Sequence, residues 1–87
     1  MTTQTVTIIN PLGLHARPAN TFVKEANRYR STIKLVYQEK EYNAKSIVSV
    51  LKACIKANTE VCIKADGEDE AAAVEGLVAS VRAGLGE

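Results

Sequence analysis

The chain has no tryptophan, one phenylalanine, three tyrosines, two prolines, two cysteines and a single histidine in 87 residues. Two cysteines, Cys54 and Cys62, are too few for a multi-bridge disulfide framework, and a reducing compartment is expected. One histidine with scattered carboxylates lacks the ligand set of a zinc or other transition-metal site, so neither metal nor cofactor is expected. No apolar run approaches the roughly 18 residues of a membrane span. Met1-Thr2-Thr3-Gln4 has no basic stretch leading into an apolar one, so no signal peptide is visible. Excess charge of one sign is missing too: 11 Lys and Arg against 10 Asp and Glu leave a formal net charge of +1. That balance gives no electrostatic ground for nucleic acid or an anionic membrane as partner. Without repeats, low-complexity tracts or linkers, residues 1–87 are expected to form one cytoplasmic domain around one core.

What is present is a regular change of period. Thr5-Val6-Thr7-Ile8-Ile9 alternates and is rich in β-branched residues, a half-buried strand with Val6 and Ile8 inward. Asn10-Pro11-Leu12-Gly13 breaks it. Ala16, Ala19, Phe22, Val23 and Ala26 then recur at three and four residues, the stripe of an amphipathic helix, with Pro18 in its first turn. The N-cap is His15 or Arg17. Ser31 to Tyr37 alternates again, with Ile33, Leu35 and Tyr37 on one face. Gln38-Glu39-Lys40 reads as a turn into a short strand, Glu41 to Ala44. Ser46 suits the N-cap of a short helix bearing Ile47, Val50, Leu51 and Cys54 or Ile55, with Asn58 ending it in the left-handed conformation. Glu60 to Asp66 alternates with Val61, Ile63 and Ala65 inward and Cys62 outward. The last helix runs from about Glu68-Asp69-Glu70 to Ala83, its acids suiting the positive helix end, and buries Ala71, Val74, Leu77, Val78 and Val81. The expected fold is α+β, an open-faced two-layer sandwich in the order βαββαβα. Its four-stranded antiparallel sheet carries three helices on one face and leaves the other to water.

The residues Gly13-Leu14-His15-Ala16-Arg17-Pro18-Ala19 hold the lone histidine at a helix entrance. By chemistry alone two readings stand. His15 is an ordinary surface residue, or it is a group that accepts an anion. In the second case the amides of Ala16 and Arg17 have no intrahelical partner and make an anion site beside the ring. The positive helix end opposes protonation of the imidazole and favours its neutral, nucleophilic form. The planar fork of Arg17 suits phosphate oxygens, and Gly13 permits a close backbone approach. No Asp or Glu lies within five residues of His15, so nothing local orients it as in a hydrolase triad.

At these residues, and at Phe22-Val23, Ala44-Lys45-Ser46-Ile47 and Ala65-Asp66-Gly67-Glu68-Asp69-Glu70, the chain resembles the HPr family. These are the histidine-containing phosphocarriers of the bacterial phosphoenolpyruvate-dependent sugar phosphotransferase system. The resemblance implies a carrier, not an enzyme, in which His15 takes a phosphoryl group on Nδ1 from phospho-enzyme I. It then passes the group to a histidine of a sugar-specific IIA domain. Arg17 would stabilise the phosphoryl group, beside the amides of Ala16 and Arg17. The resemblance also implies phosphorylation of Ser46 by an ATP-dependent HPr kinase/phosphorylase, slower transfer from enzyme I, and binding to a catabolite-control repressor. The expected docking surface is Ile47, Val48 and Leu51, with Asn20, Lys24, Lys45 and Lys52 around it and Val48 the most exposed. The carrier is expected to be a monomer without membrane insertion.

Four positions depart from the family pattern. Leu12 stands where a small polar residue is usual and bears on the orientation of His15. Cys54 and Asn58 replace glycines around the second helix. Ser49 replaces a glycine of kinase-regulated members and bears on recognition of Ser46. Two alternatives complete the expectations. One is a regulatory or nitrogen-branch paralogue with the same chemistry and other partners. The other is a signalling module acting through Ser46 alone, against which the retention of His15 and Arg17 speaks.

Overall fold

The computed structural model describes residues 1–86. The elements are β1 (Thr2–Thr7), α1 (Ala16–Ala26), β2 (Thr32–Tyr37), β3 (Lys40–Asn43), α2 (Ile47–Lys52), β4 (Glu60–Asp66) and α3 (Glu70–Arg82). The strands form one antiparallel sheet in the order β1-β4-β2-β3. Its register sets Val6 beside Val61, Ile33 beside Ala65 and Leu35 beside Ile63. All six are buried, and because side chains alternate along a strand, Cys62 and Lys64 fall on the open face. The helices cover the core face, where Phe22, Val50, Leu77 and Val81 are fully buried against the sheet residues. This is the open-faced sandwich expected. None of these helices is long and apolar enough to cross a membrane.

Several boundaries differ from expectation for physical reasons. β1 spans Thr2–Thr7 and stops before Ile8, although Ile8 stays buried and exchanges backbone bonds with Asn58 and Thr59. Gln38 and Glu39 both have positive φ (52° and 66°), so β2 and β3 meet in a two-residue turn and β3 starts at Lys40. That conformation matches the twist of a hairpin. Ala16 is exposed, and Pro18 takes its place in the α1 stripe. Side chains tilt towards the N-terminus of a helix, which carries the first residue past the packed turn into solvent. In α3, Ala73 is buried where Ala71 was expected. Ala73 lies three residues before Gly76, whose missing Cβ leaves room for the Tyr29 hydroxyl and the Glu25 carboxylate. The flank of α3 turned to α1 is therefore the packed one. α2 ends at Lys52, and Cys54 (φ 51°) is the left-handed residue that follows it. Asn58 (φ 60°) is also left-handed but serves the turn into β4.

The acids before and within α3 do more than face its positive end. Asp69 is its N-cap, yet its side chain makes no capping bond. Its carboxylate accepts instead from the amides of Arg30 (2.8 Å) and Ser31 (2.9 Å) and from the Ser31 hydroxyl. The Ser31 hydroxyl is the main cause, with the Arg30 amide second, holding Asp69 at a pKa of about 2. Glu70 accepts from the Thr2 hydroxyl at 2.6 Å and the Gly67 amide at 3.2 Å, and pairs with the terminal amine at 2.9 Å. Led by the Thr2 hydroxyl, these donors lower its pKa to about 2. Charge-assisted bonds of this kind tie the start of α3 to the starts of β1 and β2.

Candidate functional site

The loop between β1 and α1 is held at three points. Asn10 is buried, and its Nδ2 donates to the Gly84 carbonyl at 2.8 Å, joining the loop to the end of α3. The Gly13 amide donates to the Asn10 carbonyl at 2.9 Å, closing the turn Asn10-Pro11-Leu12-Gly13. The Leu14 amide donates to the Ile55 carbonyl at 2.9 Å, and the Leu14 side chain is buried. Gly13 has φ +70°, and a Cβ there would run into the Ile55 carbonyl oxygen and the Lys56 backbone. Only glycine meets both demands without strain.

His15 follows as the N-cap of α1. Its backbone is extended (φ −77°, ψ −172°), its carbonyl accepts from the Ala19 amide at 2.9 Å, and its ring does not cap the helix. Ala16 and Arg17 come next, and their amides have no carbonyl in a preceding turn. Pro18 has no amide hydrogen at all. The donors of this helix start are thus the two amides beside His15. The first turn holds no acidic residue, so nothing on α1 offsets its positive pole. The His15 ring is half-buried, whereas Ala16 and Arg17 are exposed. No ion pair among the described residues engages the Arg17 guanidinium. The ring thus adjoins the two amides at the start of α1, with the exposed side chain of Arg17 two residues on in the sequence, and a helix start of this kind stabilises negative charge.

A cleft lies on each side of His15. One is lined by Ile9, Asn10, Pro11, Leu12, His15 and Gly84. The other reaches α2 through Leu51 and Cys54 and also includes Ile55 and Lys56. Besides Met1, the exposed large apolar residues among those described are Ile9, Leu12, Val48 and Leu51. Val48 is 65% exposed, Leu51 39%, Ile47 half-buried and Val50 wholly buried, which divides the apolar residues of α2 between surface and core. Of Cys54 and Ile55, Ile55 is the one in the core, and Cys54 is exposed in the cleft. Asn20, Lys24 and Lys52 are exposed on α1 and α2. Lys45 leaves the expected rim: its ammonium donates to the Tyr29 carbonyl at 2.6 Å. Ile9, Asn10, Gly84 and Lys56 were not anticipated beside His15. The exposed Ile9 directly before the turn was the one local sign; the Asn10–Gly84 bond spans 74 residues.

Ser46 is the N-cap of α2, its hydroxyl accepting from the Ser49 amide at 3.3 Å. Ser49 in turn accepts from the Asn43 amide at 2.9 Å. The serine at position 49 is thus built into the entrance of α2.

Sequence and structure comparisons place this fold in a family. Residues 2–83 match the family model described as the PTS HPr component phosphorylation site. The chain belongs to the HPr family. It is 43% identical over 70 residues to the phosphocarrier protein HPr of Mycoplasma capricolum, covering 80% of this chain and 79% of that one. With the HPr-like protein Crh of Bacillus subtilis it shares 44% identity over 82 residues, covering 94% and 96%. Crh has a structure described as a swapped dimer, similar to this chain at a TM-score of 0.77 over 97% of each. HPr of Thermoanaerobacter tengcongensis superimposes at a TM-score of 0.96, with 37% identity over 100% of this chain and 98% of that one. Cys54 and Asn58 both have left-handed backbone, with φ of 51° and 60°, a conformation that glycine adopts without steric cost.

Proposed function

We propose that this HPr-family chain is a cytoplasmic phosphocarrier in which His15 is the group that is phosphorylated. The supporting observation is the place of His15 at the start of α1, beside the amides of Ala16 and Arg17 and followed by an Arg17 whose exposed side chain has no ion-pair partner among the described residues. The Nδ1 lone pair of neutral His15 attacks the phosphorus of phospho-enzyme I as the donor's N–P bond breaks. The donor nitrogen keeps that electron pair, and the ring proton of His15 leaves to solvent. A histidine of a sugar-specific IIA domain then takes the group by the same displacement. Arg17 neutralises the phosphoryl oxygens, and the helix amides add fixed dipoles. Positioning suffices because each partner brings the rest of the site. The chain is a carrier and not an enzyme, since the group rests on it between two other proteins.

Docking uses Ile47, Val48 and Leu51 with Asn20, Lys24 and Lys52, an apolar surface beside cations for acidic partners. Phosphorylation of Ser46 by HPr kinase/phosphorylase would add a charge of about −1.5 to −2 within that surface. It would repel enzyme I and present a mark to a catabolite-control repressor. The described residues bury their own core without a second copy, which supports a monomer. A regulatory paralogue is the second reading, favoured by the similarity to Crh.

Incubation with phosphoenolpyruvate and enzyme I tests the proposal. Acid-labile, base-stable label should form, vanish in His15→Ala without loss of cooperative folding, and form roughly a hundredfold more slowly in Arg17→Ala. Label that survives His15→Ala would move the site elsewhere. HPr kinase with ATP should give acid-stable label that Ser46→Ala removes.

A further inference from the structure

Only one of the two clefts beside His15 adjoins the docking surface on α2. The other has a volume of about 430 Å³, and among the described residues it is lined, apart from His15, by Ile9, Asn10, Pro11, Leu12 and Gly84, none of which titrates. Ile9 is 52% and Leu12 76% exposed, so neither serves the core. A fixed turn keeps them outside. Asn10 is pinned to Gly84, the Gly13 amide is bonded to Asn10, and Pro11 restricts the backbone between them. Leu12 also lines the second cleft, so it stands as a wall between the two. A large apolar side chain held rigidly in water beside a reactive ring has no role in folding that would explain it.

We infer that Ile9 and Leu12 form a second, partner-selecting contact that receives an uncharged, apolar side chain from the rim of the phosphoryl donor's reactive site. The inference rests on the phosphocarrier reading and deepens it. Direct transfer requires the donor's reactive nitrogen to reach the phosphorus that His15 attacks. The donor surface around that nitrogen therefore covers whatever borders His15, and this cleft borders it. A donor with a polar or charged rim at that point is rejected, because Leu12 displaces its water and offers no hydrogen bond in return. The contact is made equally before and during transfer, so it acts on binding and not on the chemical step.

The test is the initial rate of transfer from phospho-enzyme I as a function of carrier concentration. For Leu12→Ser the KM should rise about tenfold, the lower end of what one apolar group in a pocket contributes, while kcat stays within about twofold. Leu12→Met should restore the KM, and Tm should be the same in all three. Ile9→Thr, in the lining of the same cleft, should raise the KM by itself and provides the test if Leu12→Ser fails to fold. Unchanged KM in both variants, with the unmodified chain labelled normally, overturns the inference and leaves the phosphocarrier reading intact. A fall in kcat alone also overturns it, since Leu12 would then act on the ring. No label on the unmodified chain overturns both.

Discussion

At one end of the molecule, Asp69 and Glu70 collect donors from Arg30, Ser31, Gly67, Thr2 and the terminal amine. At the other end, where β1 leaves the sheet and α1 begins, charge is treated in the opposite way. The first turn of α1 carries no acid, Arg17 has no ion-pair partner among the described residues, and the loop is held by neutral hydrogen bonds. One end satisfies its charges to hold strands and helices together. The other fixes the backbone of its loop through the hydrogen bonds of Asn10, Gly13 and Leu14. For a chain that is phosphorylated on His15, as proposed, that fixed loop is what positions the ring for transfer.

The largest expected effect comes from disturbing that fixed backbone. Gly13→Ala places a side chain at φ +70° and drives a Cβ into the Ile55 carbonyl. We expect a loss of about 1–3 kcal/mol in chemical denaturation, together with slower labelling of His15 in the folded fraction, because Leu14 would lose its seat. If labelling kept its normal rate, the loop would position nothing, and the two ends would differ in charge alone.

The opposite end is probed by acid. The ordinary values for Asp69 and Glu70 are 3.8 and 4.5, and both fall to about 2 in the folded chain. A lowered folded pKa means that the unfolded chain binds protons first as the pH drops. The stabilisation is therefore complete above about pH 4.5 and is lost as the pH falls towards 2. Thermal melts should give a Tm that holds down to about pH 5 and then declines. Asp69→Asn should have a lower Tm at pH 7, a flatter acid limb, and a curve converging on the unmodified one near pH 2. Its transfer rate per folded molecule should not change. An unaltered Tm at pH 7 would mean that the carboxylate anchors nothing.

The sequence carried the sheet more legibly than the site. Val61, Ile63 and Ala65 alternate with polar residues because one face of β4 is wet, and that pattern is local. His15 could be placed at a helix start for the same reason, since Pro18 and the following stripe lie within a few residues of it. Ala73 and the cleft beside Ile9 were hidden because distant elements decide them. The first depends on which flank of α3 meets α1, and the second on a bond from Asn10 to Gly84. The end of α2 was misplaced at Asn58 because both Asn58 and Cys54 occupy left-handed backbone, and a cysteine gives no hint of it. The long acidic stretch before α3 read as dipole compensation, while two of its carboxylates are turned towards other segments.

The smallest effect separates stability from transfer at α2. Ser46→Ala removes the acceptor of the Ser49 amide, a 3.3 Å bond at the start of a six-residue helix. We expect a cost of about 0.5–1 kcal/mol, the lower part of the range for losing an N-cap. Ser46→Asp keeps an acceptor at the cap and places negative charge at a helix start, so it should melt at least as high as Ser46→Ala. Its transfer from enzyme I should nevertheless be slower than that of Ser46→Ala, because the new charge adjoins Ile47 and Val48, where an acidic partner would dock. The two substitutions thus rank in opposite orders by melting and by transfer. A charge added here would alter partner contact with little change in folding, whereas a charge removed at Asp69 alters folding and leaves contact alone. Equal transfer rates for the two Ser46 variants would take α2 out of the docking surface.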